Sequence, residues 1–152
     1  MIAGIDPGLK GAIAWVDGRD LALIKDIPTA PKRFGRGNQI DPHGVALLFN
    51  HYPPDLVVLE GVWPRPGEST TSSSTSGIGY GVLQGVLAAL AIPFWSVAPA
   101  TWKAHYSLRG KPKGTSITIA QNLCPGFQVY KGAKNAHDRA EALLLALYGG
   151  EK

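Results

Sequence analysis

Residues 55–60 read DLVVLE, four consecutive apolar side chains closed by a carboxylate. Side chains alternate between the two faces of a strand, so a run that is apolar at every position needs cover on both faces. At this length it reads as a buried parallel strand rather than a helix. A chain containing it is thereby confined to a sheet with helices on either side. The flanking sequence agrees. Residues 1–5 are apolar and end at the turn signal Asp6-Pro7-Gly8. Residues 11–16 are apolar again, Asp17-Gly18 is a hairpin dipeptide, and residues 20–27 resume the pattern, which predicts a three-stranded antiparallel meander. Residues 28–39, with two Pro, two Gly and three basic residues, read as a loop. Asp41-Pro42 is an N-cap with Pro at the first helical position. Val45, Leu47, Leu48, Phe49 and Tyr52 come next at helical spacing until Pro53-Pro54 stops the helix.

Beyond Glu60 comes GVWPRPGE and then eight consecutive Ser and Thr residues, 69–76, a composition that reads as flexible. Residues 77–91 form a helix candidate with Gly77, Gly81, Gly85 and Ala88 or Ala89 along one face. Residues 92–97 are a further strand. Residues 99–105 and 115–123 read as short helices joined by a basic stretch, and 136–148 as a long one carrying Leu143, Leu144 and Leu147. The expectation is one α/β domain over 1–152, a five-stranded mixed sheet flanked by helices. Hydrophobic residues make up 45% of the chain, enough for a core and too many for disorder. The lone Cys124 excludes a disulfide framework and a multi-Cys zinc site, which suits a reducing, cytoplasmic setting. No apolar run approaches the ~18 residues of a membrane span, and residues 1–11 lack the pattern of a secretory signal.

Four acids stand out of place. Asp6 ends the first strand and Glu60 ends the strand at 55–60. In open α/β sheets functional groups gather at the carboxyl ends of adjacent strands, so these two converge if their strands are neighbours. Asp138 and Glu141, three apart, project from one face of the last helix. Clustered carboxylates repel one another unless a cation offsets them. Oxygen ligands without a His/Cys cluster favour Mg²⁺, or Mn²⁺ in its place. Two such ions about 4 Å apart support in-line phosphodiester hydrolysis. Each acid also has a plain reading, as a turn residue, a solvated strand end or a helix N-terminal acid favoured by the macrodipole.

In order along the chain, IAGIDPGLKGAIAWV, LVVLEGVW, SVAPATWK and AHDRAEALLLA resemble the RuvC-type Holliday junction resolvases, within the RNase H-like nuclease fold. The resemblance implies Asp6, Glu60, Asp138 and Glu141 as catalytic, metal-binding residues with two Mg²⁺ per site. Glu141 stands where bacterial members usually have Asp. His137 is a second-choice ligand, a proton-transfer group or a residue without a role. The resemblance also implies a homodimer that cuts a four-way DNA junction symmetrically. The short, divergent chain would suit a phage or prophage gene.

Charge placement fits a nucleic-acid partner. Residues 61–137 carry seven basic side chains against the single acid Glu68, although the whole chain is only +4. Arg65, Lys103, Arg109, Lys111, Lys113, Lys131 and Lys134 are therefore DNA-contact candidates, Lys103 and Lys113 also by the resemblance. Trp63, three residues after Glu60, is a candidate for stacking on bases; its alternative is burial beneath the loop. Residues 69–76 offer hydroxyls to phosphates, and 32–36 offer a further contact. Three other readings stay open: a nuclease for other branched DNA or RNA/DNA hybrids, a non-catalytic DNA-binding module, and one lobe of an actin-like kinase. The last needs a second lobe, for which the chain has no room.

Overall fold

The computed structural model describes residues 1–63, 67–129 and 133–152. Seven strands and five helices occur among them, in the order β1 (Ile2–Asp6), β2 (Ala12–Asp17), β3 (Asp20–Asp26), β4 (Thr29–Pro31), β5 (Asn38–Ile40), α1 (Pro42–His51), β6 (Leu56–Glu60), α2 (Thr70–Ala89), β7 (Phe94–Val97), α3 (Pro99–His105), α4 (Gly114–Leu123) and α5 (Ala136–Gly150). Five strands form one sheet in the order β3-β2-β1-β6-β7. The first three are antiparallel, and β6 lies parallel to both β1 and β7. This is the mixed sheet that the sequence pattern predicts.

The DLVVLE run is apolar throughout because both faces of β6 are covered. Val57 and Leu59 join Ala3, Ile5, Ile13 and Trp15 on the side packed by Val45 and Phe49 of α1 and by Leu83 and Leu87 of α2. Val58 points the other way, with Ala12, Ala14 and Val16, into the core completed by Trp102, Ala120, and Ala140 and residues 142–148 of α5. The helix α5 presses hard on the sheet. A side chain at Gly4 would overlap the backbone of Ala142 and Ala146, so β1 approaches α5 at a distance only glycine permits. Gly11 is fixed in the same way, its missing Cβ leaving room for the carbonyl of Asp6 across the turn.

Two segments depart from the sequence reading. Residues 28–39 are not a plain loop: β4 and β5 pair antiparallel as a two-stranded ribbon, with Thr29 opposite Ile40 and Pro31 opposite Asn38. Residues 69–76 are not irregular: Ser69 is the N-cap and residues 70–76 lie within α2. Ser69 caps α2 by accepting from the Ser72 amide at 3.2 Å, and the Ser/Thr run forms its first two turns. Serine and threonine are mediocre helix formers, because their hydroxyls compete for backbone groups. Here the cap starts the helix, and burial of Leu83 and Leu87 further along holds it. Among the described residues no helix is long and apolar enough to cross a membrane.

Candidate metal centre and adjoining cleft

The parallel register pairs Ile5 of β1 with Leu59 of β6, so the next residues, Asp6 and Glu60, emerge side by side at the carboxyl edge. Alternation puts Asp6 on the face of Gly4 and Glu60 on the face of Val58, and both faces look toward α5. Glu141 projects from α5 to meet them. The three carboxylates are nearly buried, with 8%, 8% and 7% of Asp6, Glu60 and Glu141 exposed. One oxygen from each lies within 4.8 Å of the others. Burial pushes the Asp6 carboxyl well above its ordinary value near 3.8, and the charges of Glu60, Glu141 and Asp138 push the same way. Asp138 is half-buried on the first turn of α5 and borders the adjoining cleft with Asp6, outside the tightest group of three.

Neighbouring side chains hold this centre together. The indole Nε1 of Trp102 donates to Glu60 Oε1 at 2.9 Å in a buried contact. Lys103, a DNA-contact candidate in the sequence, turns its ammonium toward the acidic group. Its ammonium sits 3.0 Å from Glu141 Oε2 and 3.8 Å from Glu60 Oε1. His137 reaches Glu141 Oε1 through Nε2 at 3.3 Å, while its Nδ1 lies 2.9 Å from the Lys113 carbonyl and 2.9 Å from Ser116 Oγ. A carbonyl only accepts, so Nδ1 carries the proton in that contact, which turns Nε2 toward the Glu141 carboxylate. Trp102 and Ser116 escaped the sequence reading. A tryptophan in an apolar segment signals only that its N–H will seek a partner, not which one.

The donor set suits a hard divalent cation. Three buried, mutually repelling carboxylates share one nearby lysine, and the resulting excess of negative charge is what such an ion offsets. A cleft of about 970 Å³ opens beside the centre. Its floor is Asp6, the turn from Pro7 to Gly11, and Asp138; one wall is the hydroxyl face of α2, and the other is the β4–β5 ribbon. The remaining candidates spread outward. Trp63 is 67% exposed rather than buried under its loop. Arg109 is exposed and donates from Nε to the Ala100 carbonyl at 2.9 Å. Lys111, Lys113 and Lys134 are exposed. Arg65 and Lys131 lie outside the described residues. Gly77, Gly81 and Gly85 do not pack against the sheet: a Cβ at any of them would meet nothing within 4 Å, so the stripe faces outward.

No protein-family model matches the sequence. Over 84 residues, 55% of this chain, it is 33% identical to the chloroplastic Holliday junction resolvase MOC1 of Chlamydomonas reinhardtii, and it spans about a tenth of that protein's length (10%). Among solved structures, Thermus thermophilus RuvC in complex with Holliday junction substrate superposes with a TM-score of 0.68 at 15% identity, covering 96% of this chain and 90% of that one. The Fowlpox virus resolvase in complex with Holliday junction DNA gives 0.57 at 21% identity, covering 99% of both chains. The fold is that of RuvC, an RNase H-like mixed sheet with flanking helices.

Proposed function

We propose that this chain, built on the RuvC fold, is a divalent-metal-dependent endonuclease that resolves four-way DNA junctions. The observation that carries the reading is the convergence of Asp6, Glu60 and Glu141 at the carboxyl edge of the sheet, beside an open cleft. The curated relative and the two solved structures named above, all resolvases or complexes with junction DNA, support the choice of substrate. Asp6, Glu60, Glu141 and Asp138 would hold Mg²⁺, with Mn²⁺ substituting and two ions to a site. When bound, the cations supply the positive charge that phosphodiester hydrolysis requires at its transition state.

The chain's own groups then have distinct tasks. Trp102 fixes the Glu60 carboxylate through its 2.9 Å hydrogen bond, so that this ligand does not swing away. Lys103 balances part of the carboxylate charge, and with cations in the site its ammonium would be available to a phosphate. His137, pinned through Nδ1 by the Lys113 carbonyl, offers Nε2 to hold a proton or to complete the ligand set. Arg65, Arg109, Lys111, Lys113, Lys131 and Lys134 track the phosphate backbone, and Trp63 stacks at the branch. The outward glycine stripe of α2 is where a second copy would approach to form a homodimer. We assign the whole chain to a single cytoplasmic domain.

The test is cleavage of a synthetic four-way junction beside a linear duplex and an RNA/DNA hybrid. Wild type is expected to cut only the junction and only with Mg²⁺ or Mn²⁺. Asp6→Asn is expected to bind the junction without cutting it. Equal cutting of all three substrates would discard the resolvase and keep a nuclease; no cutting by wild type under any divalent cation would sink both.

A further inference from the structure

We infer that the β4–β5 ribbon is a nucleobase-stacking arm, with Phe34 at its tip receiving an unstacked base at the branch point of the DNA. The inference rests on the nuclease reading above and adds to it a base-contacting element in a segment outside the metal centre. Phe34 is 89% exposed, the most exposed of the large hydrophobic side chains among the described residues. A phenyl ring held this far into water contributes little to the core and is open to a partner; what singles it out is its place among cations on the border of the cleft. Its immediate neighbours are cationic: Lys32, Arg33 and Arg36, with no acid anywhere in residues 27–40.

The arm is firm at its base and projecting at its tip. Ile40 is buried and packs so closely on α2 that a Cβ at Gly79 would lie 3.0 Å from its Cδ1. The Asp41 amide donates to the Pro28 carbonyl at 2.9 Å, and the Lys32 amide to the Gly37 carbonyl at 3.0 Å, closing the ribbon at both ends. Gly35 and Gly37, at φ of 84° and 94°, allow the sharp reversal between them. Phe34 and Lys32 border the same cleft as Asp6 and Asp138. A base on Phe34 would thus place its own backbone near the carboxylate edge, with Arg33 and Arg36 at hand for flanking phosphates. Phenylalanine has no polar atom to read a base edge, so the contact is expected to tolerate any base.

Affinities are measured for the full-length chain in Ca²⁺ without Mg²⁺, using a four-way junction, a linear duplex and a single strand, with 2-aminopurine at the junction centre and in the single strand. Phe34→Ala is expected to weaken junction and single-strand binding about tenfold, to leave duplex binding within about twofold, and to abolish the 2-aminopurine quenching. Phe34→Trp is expected to preserve both signals. The side chain is exposed, so neither change should affect folding, which a thermal melt confirms. Unchanged affinity and quenching in Phe34→Ala would overturn the inference, as would an equal loss on duplex and junction. So would a Phe34→Ala protein that loses self-association but not DNA affinity, since the ring would then serve a second copy. If wild type shows no preference for the junction, the resolvase reading fails on its own, and the single-strand comparison still decides the arm.

Discussion

The carboxylate centre and the rim of the cleft obey opposite rules. At the centre the charged groups are buried or held: Trp102 on Glu60, Lys103 on Glu141, and His137 clamped between Ser116, the Lys113 carbonyl and Glu141. At the rim Phe34 and Ile78 stand in solvent, as Trp63 and Lys111 do elsewhere on the surface. Reacting groups gain from rigid placement on strand ends and a packed helix, because small displacements there are costly. Groups that meet an extended, deformable polymer gain from reach and exposure. Substitutions at the centre should therefore change the chemical step, and those at the rim should change binding.

The sharpest way to break this division is Asp6→Asn. Cleavage should fall at least about a thousandfold while junction affinity stays within a few-fold, read by gel assays of cutting and binding side by side. Comparable losses in both would erase the distinction. Next in size is Trp102→Phe, which keeps the buried ring and removes the indole N–H. Cleavage should drop roughly 10–100-fold with junction affinity retained, as expected for a group that orients a ligand. A higher Mg²⁺ requirement would accompany it. An unchanged rate would make Trp102 a packing residue only.

A smaller effect concerns pH. The Asp6 carboxyl titrates well above 3.8 in the folded chain, so between that value and its raised one the native state holds more protons than the unfolded state. Stability of the metal-free protein should then fall as pH rises through this window. Melts at a series of pH values should show a decline of a few degrees, flattened in Asp6→Asn and reversed by Mg²⁺ in wild type. The smallest effect belongs to Arg139, whose Nε and Nη2 grip Asp26 at 2.7 and 3.0 Å and tie the start of α5 to β3. The pair depresses the Asp26 carboxyl, so its contribution is present above the ordinary carboxylate range and is lost as pH drops through the lowered value. Both side chains are more than a third exposed, and Arg139→Ala should cost no more than about 1 kcal/mol in a denaturant titration.

Much of this arrangement was legible in the sequence because it rests on local pattern. The apolar DLVVLE run required cover on two faces, and it has it. Strand-terminal acids on neighbouring parallel strands had to converge, and Asp6 and Glu60 do. What the sequence hid was tertiary. Lys103 sits within a basic segment, and nothing local reveals that its ammonium turns inward to Glu141. The Ser/Thr run lacks helix propensity of its own and is helical because Ser69 caps it and Leu83 and Leu87 anchor the later turns of α2. The ribbon at Thr29–Pro31 and Asn38–Ile40 has strands of three residues each, too short for alternation to register.

A carboxylate edge that resolves a branched substrate must cut it at paired positions, and the nicks themselves report this. Each of the four strands of a synthetic junction is labelled in turn, and the nicks made with Mg²⁺ are mapped. Two nicks are expected, placed symmetrically in opposite strands at the branch. Cuts scattered along the arms, or found equally in a linear duplex of the same sequence, would contradict the resolvase assignment.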